Sequence, residues 1–290
     1  MRSLLSAATQ AFALLSLLGS DVSGVLAAPS AGCGKTPTIT SGQARTMTVN
    51  GKQRQYIVRL PERYDNSQPH RLVFTFHALG GNMNQIATGN EAYYGLPPLA
   101  NSSAIFVSPN GQTAGSAFGL MGWGNVGGED IMFVDAMLAA IEADLCVDTN
   151  LRFSTGFSYG AGMSYAIACA RSEQFRAVAL MSAGIISGCQ GGTKPIAYYH
   201  QHGTRDQVLP ITGGRQMRNT FVRNNGCQPQ TSEPQPPSGG LTRVDYTGCD
   251  PKYPTTWVVF DGDHTPSPRL SSQSGNFSPR YVWGFFSQFT

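Results

Sequence analysis

The sequence predicts an α/β fold, a mostly parallel sheet with helices on both faces. Two observations point there. Six short apolar, β-branched or aromatic runs bounded by turn residues have the length of buried strands. Between and after them lie stretches whose apolar residues recur at helical spacing. Strands that alternate with helices in this way pair in parallel, because each helix serves as a crossover and covers a sheet face.

In chain order, the expected strands are Tyr56–Leu60, Leu72–Phe76, Ile105–Val107, Ala177–Met181, Ile196–Tyr199 and Trp257–Phe260. Ile131, Val134, Leu138, Ile141 and Leu145 recur every three or four residues, which places one apolar stripe on a helix, with Asp130 as its expected N-cap. At the end of the chain, Ser278 and Pro279 form a cap and first-turn pair ahead of Val282, Phe285, Phe286 and Phe289. There is no internal repeat and no Ser/Thr-rich linker to a separate Cys-rich binding module, so one catalytic domain over residues 28–290 is expected.

Ahead of this domain the sequence has the layout of a secretory signal. Arg2 is followed by an apolar stretch from Ala11 to Leu18 and then by small residues up to Ala27, after which cleavage is expected. The apolar stretch is broken at Gly19, Ser20 and Asp21, short of the roughly 20 residues a membrane anchor needs. Secretion and no membrane partner are therefore expected. All six cysteines, Cys33, Cys146, Cys169, Cys189, Cys227 and Cys249, follow the cleavage point, and an even number in an oxidising compartment reads as three disulfides. Of the pairings, only Cys227 with Cys249 is expected by name, since the Pro/Gly/Ser-rich segment between them has little means of ordering itself. Asn101 and Asn276 stand in Asn-x-Ser acceptors for glycosylation. A net charge of +3 with 13% charged residues leaves no basic stripe for nucleic acid.

The main chemical signal is Gly156-Phe157-Ser158-Tyr159-Gly160, a G-x-S-x-G pattern between a strand-like piece and a small-residue helical stretch through Ala170. In an α/β-hydrolase this pattern makes a sharp strand-to-helix turn that exposes the serine at the carboxyl end of the sheet. Ser158 is the candidate nucleophile. A hydroxyl needs a base, and imidazole, with an ordinary pKa of about 6.5, suits that task. His264 follows the last strand, where a loop can return over the carboxyl edge. His70 and His77 read as structural, and His200 with His202 as two rings on one strand face without a third metal ligand, so no metal site is expected.

The orienting carboxylate belongs after an intermediate strand, in the chain order Ser, Asp, His. Asp206 meets that condition, with Asp261 and Asp263 as fallbacks. Oxyanion donors are expected from the Tyr159 amide and from the loop His77-Ala78-Leu79-Gly80-Gly81, with Leu79 favoured and Ala78 second. The chemistry requires no cofactor.

With these residues in place, the chain resembles the fungal feruloyl esterases of carbohydrate esterase family 1, which are similar to secreted polyhydroxybutyrate depolymerases. The matching stretches are Phe74 to Gly81, Gly156 to Gly162, His202 to Pro210 and Gly262 to His264. Ala78 departs from the His-Gly that related esterases often carry in the oxyanion loop. The resemblance implies Ser158, Asp206 and His264 as the triad and a hydroxycinnamoyl ester on plant cell-wall polysaccharide as substrate. Trp123 and Tyr159 could bracket a flat phenolic ring, with a role as core or loop anchors the equal alternative. Acetylxylan esterase, polyester depolymerase and a non-catalytic binding module of hydrolase fold are the rival readings, and a monomer is expected.

Overall fold

A computed structural model describes residues 27–271 and 275–290. Apart from Ala27, the expected signal peptide lies outside the described residues. Among the described residues, one nine-stranded sheet is built from β1 (Ala44–Val49), β2 (Lys52–Arg59), β3 (His70–Phe76), β4 (Ala104–Pro109), β5 (Val147–Phe157), β6 (Ala177–Met181), β7 (Ala197–Gly203), β8 (Leu241–Asp245) and β9 (Thr255–Phe260). Its spatial order is β1-β2-β4-β3-β5-β6-β7-β9-β8. The six strands from β4 across to β9 run parallel, while β1, β2 and β8 join antiparallel at the two edges.

The parallel strands are buried throughout or nearly so, which is why they read as continuous apolar runs in the sequence. All six expected strands lie in this sheet. The two strands that the sequence pattern did not reveal, β1 and β8, sit at the edges, where one half-exposed face is filled with Thr, Arg and Asp. The segment between Cys227 and Cys249 is thus partly ordered: β8 pairs with β9 in the register Leu241↔Phe260 to Asp245↔Thr256.

The helices are α1 (Met83–Ala87), α2 (Pro97–Ala100), α3 (Glu129–Asp144), α4 (Tyr159–Ala170), α5 (Ile211–Asn224) and α6 (Ser278–Ser287). Val134, Met137, Leu138 and Ile141 of α3, Met163 and Ile167 of α4, and Met217 and Phe221 of α5 pack with Leu72, Phe74, Val178, Leu180 and Tyr198 on one face. On the other face, Val282, Phe285 and Phe286 of α6 and Ala100 of α2 pack with Val73, Phe153, Ala179, Tyr199 and Val258. Among the described residues, no helix is long and apolar enough to cross a membrane.

Two expected caps are corrected. Helix α3 begins at Glu129, so Asp130 lies inside its first turn, where its carboxylate pairs with the buried Arg54 at 2.7 Å. The capping is done by Asn125, whose Oδ1 accepts the amides of Asp130 (3.1 Å) and Ile131 (3.2 Å). Helix α6 starts at Ser278 with Phe277 in the cap position, and the Ser278 hydroxyl instead accepts a buried hydrogen bond from Gln201 Nε2 at 2.7 Å.

The cysteines form three disulfides, Cys33–Cys146, Cys169–Cys189 and Cys227–Cys249. The first fastens the N-terminal segment beside the start of β5, the second fastens the end of α4 to the loop after β6, and the third is the pairing expected from sequence. Of the two glycosylation acceptors, Asn101 is exposed at the end of α2. Asn276 is engaged, with Nδ2 donating to Glu91 and Oδ1 accepting from the Ser278 amide.

Candidate active site

The carboxyl ends of β5, β7 and β9 carry Ser158, Asp206 and His264. In the parallel sheet these ends lie along one edge, with β6 between β5 and β7.

Ser158 occupies the single residue between β5 and α4, with φ 56° and ψ −116°, a strained backbone for a non-glycine residue. Its amide donates to Met181 O at 3.0 Å, which ties the turn to the end of β6. The flanking glycines are dictated by space. A Cβ on Gly160 would lie 2.0 Å from Phe76 O, and one on Gly156 would lie 2.4 Å from the Gly160 carbonyl carbon. Backbone therefore packs on backbone on both sides of the serine.

Asp206 follows β7 with its side chain fully buried. Oδ1 accepts the amides of Val208 (3.0 Å) and Leu209 (2.8 Å), and Oδ2 lies 2.7 Å from His264 Nδ1. Burial pushes the carboxyl pKa up, but hydrogen bonds from His202, His264 and the Leu209 amide together hold it well below the ordinary range, so the group is ionised. An acceptor at Oδ2 assigns the His264 proton to Nδ1. The other ring nitrogen, Nε2, then accepts from the Ser158 hydroxyl at 2.9 Å. The imidazole also lies against the Phe157 ring, 4.6 Å between centroids.

The loops bearing Asp206 and His264 are fitted to each other. The Arg205 amide donates to Gly262 O at 2.9 Å, and the Arg205 guanidinium pairs with Asp261. This removes the fallback carboxylates. Asp261 is engaged by Arg205 and by the Gly239 amide (2.7 Å), while Asp263 faces Arg205 from the surface.

Beside Ser158 and its flanking Gly160 lies the loop after β3. The Gly80 amide is taken by Met121 O (2.7 Å) and the Gly81 amide by Ala78 O (3.0 Å). Among the described residues, the amides of Ala78 and Leu79 have no backbone acceptor, as an oxyanion donor requires. His77 supports this loop from beneath: Nδ1 donates to Ala78 O (2.7 Å) and Nε2 accepts from the Gly111 amide (2.9 Å). Burial lowers its pKa to about 4, so the ring is neutral.

The structure corrects the ring-bracket reading. Trp123 is 0% exposed, packs edge-on to Phe76 at 5.0 Å and donates its indole N–H to His77 O at 2.8 Å. The Tyr159 ring is also buried, against Gly122, where a Cβ would come within 2.7 Å of it. Both aromatics are buried and brace the site from inside. Apolar surface is offered instead by exposed residues that the sequence did not single out: Phe118 and Leu120 after β4, Ile185 and Ile186 after β6, and Val208 after Asp206. Leu120 borders Gly80 in the loop after β3, and Ile186 borders Gly162 in the first turn of α4, just beyond Ser158. No sequence signal distinguishes them from core residues, because all are ordinary aliphatics or a phenylalanine.

His200 and His202 share the β7 face that looks toward α5, as their spacing predicts. Both are buried and bonded to each other, His200 Nε2 to His202 Nδ1 at 3.2 Å.

No protein-family model matches the chain. Among characterised proteins, it is 51% identical to feruloyl esterase D of Neurospora crassa, over 95% of this chain and 96% of the relative. It is 47% identical to feruloyl esterase C of Emericella nidulans, over 89% and 91%. Among solved structures, the ferulic acid esterase of Anaeromyces mucronatus in complex with ferulic acid matches with a TM-score of 0.54 at 17% identity, over 82% of this chain and 90% of that one. The Bacillus cereus carboxylesterase matches with a TM-score of 0.53 at 14% identity, over 81% and 95%. The fold shared with these structures is the α/β-hydrolase fold.

Proposed function

The chain belongs to the fungal feruloyl esterases and is a carboxylic ester hydrolase, and from that membership we propose that it cleaves feruloyl esters on plant cell-wall polysaccharide such as arabinoxylan through Ser158, His264 and Asp206. The observation that carries the proposal is the continuous hydrogen-bonded path from Ser158 Oγ through His264 to Asp206, at 2.9 and 2.7 Å.

In the first step Ser158 Oγ attacks the ester carbonyl carbon while its proton passes to His264 Nε2. The buried carboxylate of Asp206 holds the ring in the tautomer that can accept and stabilises the imidazolium that results. The Tyr159 and Leu79 amides receive the oxyanion, with Ala78 as the second choice in that loop. Collapse of the tetrahedral intermediate expels the sugar oxygen, which takes the proton from Nε2. Water, deprotonated by the same nitrogen, then attacks the acyl-serine and releases the free acid. No step draws on a cofactor. The aromatic acyl group is received by the apolar side chains of Leu120, Ile186 and their neighbours.

The enzyme acts outside the cell as a monomeric single domain, after removal of residues 1–27. The three disulfides support this location, since such bonds persist in oxidising compartments. Turnover of the purified mature protein on methyl ferulate, acetylated xylan and polyhydroxybutyrate film tests the substrate class. Preference for methyl ferulate is expected, and preference for either of the others would replace this substrate class with that one. Failure of a fluorophosphonate probe to label Ser158 would favour the non-catalytic reading.

A further inference from the structure

Behind the carboxylate of Asp206, buried away from solvent, stands a row of side chains that the acyl-transfer steps do not use. His202 Nε2 lies 2.8 Å from Leu209 O and 3.2 Å from Asp206 Oδ2. Both neighbours can only accept, so this nitrogen carries a proton. His202 Nδ1 then accepts from His200 Nε2 at 3.2 Å, and His200 Nδ1 accepts from the Tyr198 hydroxyl at 2.9 Å. The Ala183 amide also faces His200 Nε2 but at 3.5 Å, a longer approach than the 3.2 Å to His202 Nδ1. The donors in this row run toward the Leu209 carbonyl and the Asp206 carboxylate beside it, and hydrogen bonds aligned in one direction polarise one another.

From these contacts we infer that His202 is a positioning residue for Asp206, with His200 and Tyr198 fixing its tautomer. Two imidazoles share one carboxylate oxygen: His264 on the reacting side and His202 on the buried side. His202 pins Oδ2 in place and draws off part of the charge that would otherwise act on His264. The inference rests on the proposed triad.

The surroundings enclose the row and hold it rigid. Trp257 of β9 packs edge-on to His200 at 4.9 Å and lies 6.3 Å from His202. Gly214 of α5 closes the other side, where a Cβ would stand 2.6 Å from His202 Nδ1. The charged and titratable groups around His202 are Asp206, His200 and Tyr198 on or after β7, Arg218 of α5 over the far side of Trp257, and His264 beyond the carboxylate. Burial, together with His202 and Arg218, holds His200 well below the ordinary imidazole range.

The test compares kcat, KM and the pH profile of kcat/KM on methyl ferulate for the wild type, His202→Leu and His202→Gln. Glutamine can place an N–H near the Nε2 position, whereas leucine cannot. For His202→Leu, kcat falls about tenfold and KM stays within about twofold. With the donor gone, more negative charge faces His264, and the acid limb moves to higher pH. His202→Gln restores most of both. If His202→Leu does not fold, His202→Asn, whose shorter amide stops short of Oδ2, replaces it with the same expectation. Wild-type kcat and acid limb in the donor-less variant would overturn the inference, as would equal impairment of the glutamine variant. Full turnover by Ser158→Ala would instead refute the underlying triad, which keeps the two failures apart.

Discussion

Asp206 Oδ2 lies 2.7 Å from His264 Nδ1, and the Asp206 side chain has no exposed surface. A buried, ionised carboxylate at that distance determines which ring nitrogen bears the proton, and so leaves Nε2 open toward the serine.

Replacing that carboxylate by an amide removes the preference. Asp206→Asn is expected to lower kcat on methyl ferulate about 10⁴-fold, with KM changed only a few-fold and the circular dichroism spectrum unaltered. Steady-state kinetics on the purified variant check it.

Much of this arrangement was legible in the sequence, and what escaped has physical reasons. The strands that bear the site are buried on both faces, so their apolar runs stand out, and the tight turn at Ser158 imposes glycines that can be read directly. Edge strands β1 and β8 escape because half of each is solvated and polar. Helix α5 escapes because Gly213 and Gly214 interrupt its pattern, although the close approach of His202 to Gly214 shows why a side chain is not tolerated there. Trp123 stays open between ring bracket and core anchor in the sequence, because an aromatic between glycines looks the same whether it faces inward or outward. Burial decides between those alternatives, and burial depends on the loop from Asn110 to Gly128 folding over His77.

Acid is expected to weaken the fold within a definite window. Burial lowers the His77 pKa to about 4 in the folded protein against 6.5 ordinarily, and burial likewise holds His200 well below the ordinary imidazole range. The unfolded chain therefore binds protons that the native chain refuses as pH falls from 6.5 toward 4. Stability from the neutral rings is fully present above pH 6.5 and is lost across that window, with His77 alone contributing up to about 3 kcal/mol. Urea midpoints at pH 7, 5.5 and 4.5 should fall in that order, and a His77→Gln variant that remains folded should show a shallower decline.

Disulfide removal should have graded effects. Cys33–Cys146 spans a sequence separation of 113 and Cys169–Cys189 one of 20. Loop-closure entropy assigns about 5 and about 3 kcal/mol to them respectively. Paired Cys→Ser replacements compared by urea denaturation should therefore rank the Cys33–Cys146 variant as less stable.

The account depends most on the hydroxyl of Ser158, and single-turnover and steady-state rates of Ser158→Ala on methyl ferulate test it directly. Loss of at least about 10⁴-fold in kcat, with no acyl adduct on the quenched protein by mass spectrometry, is the predicted result. Turnover within about tenfold of wild type, or an acyl adduct on another residue, would contradict it.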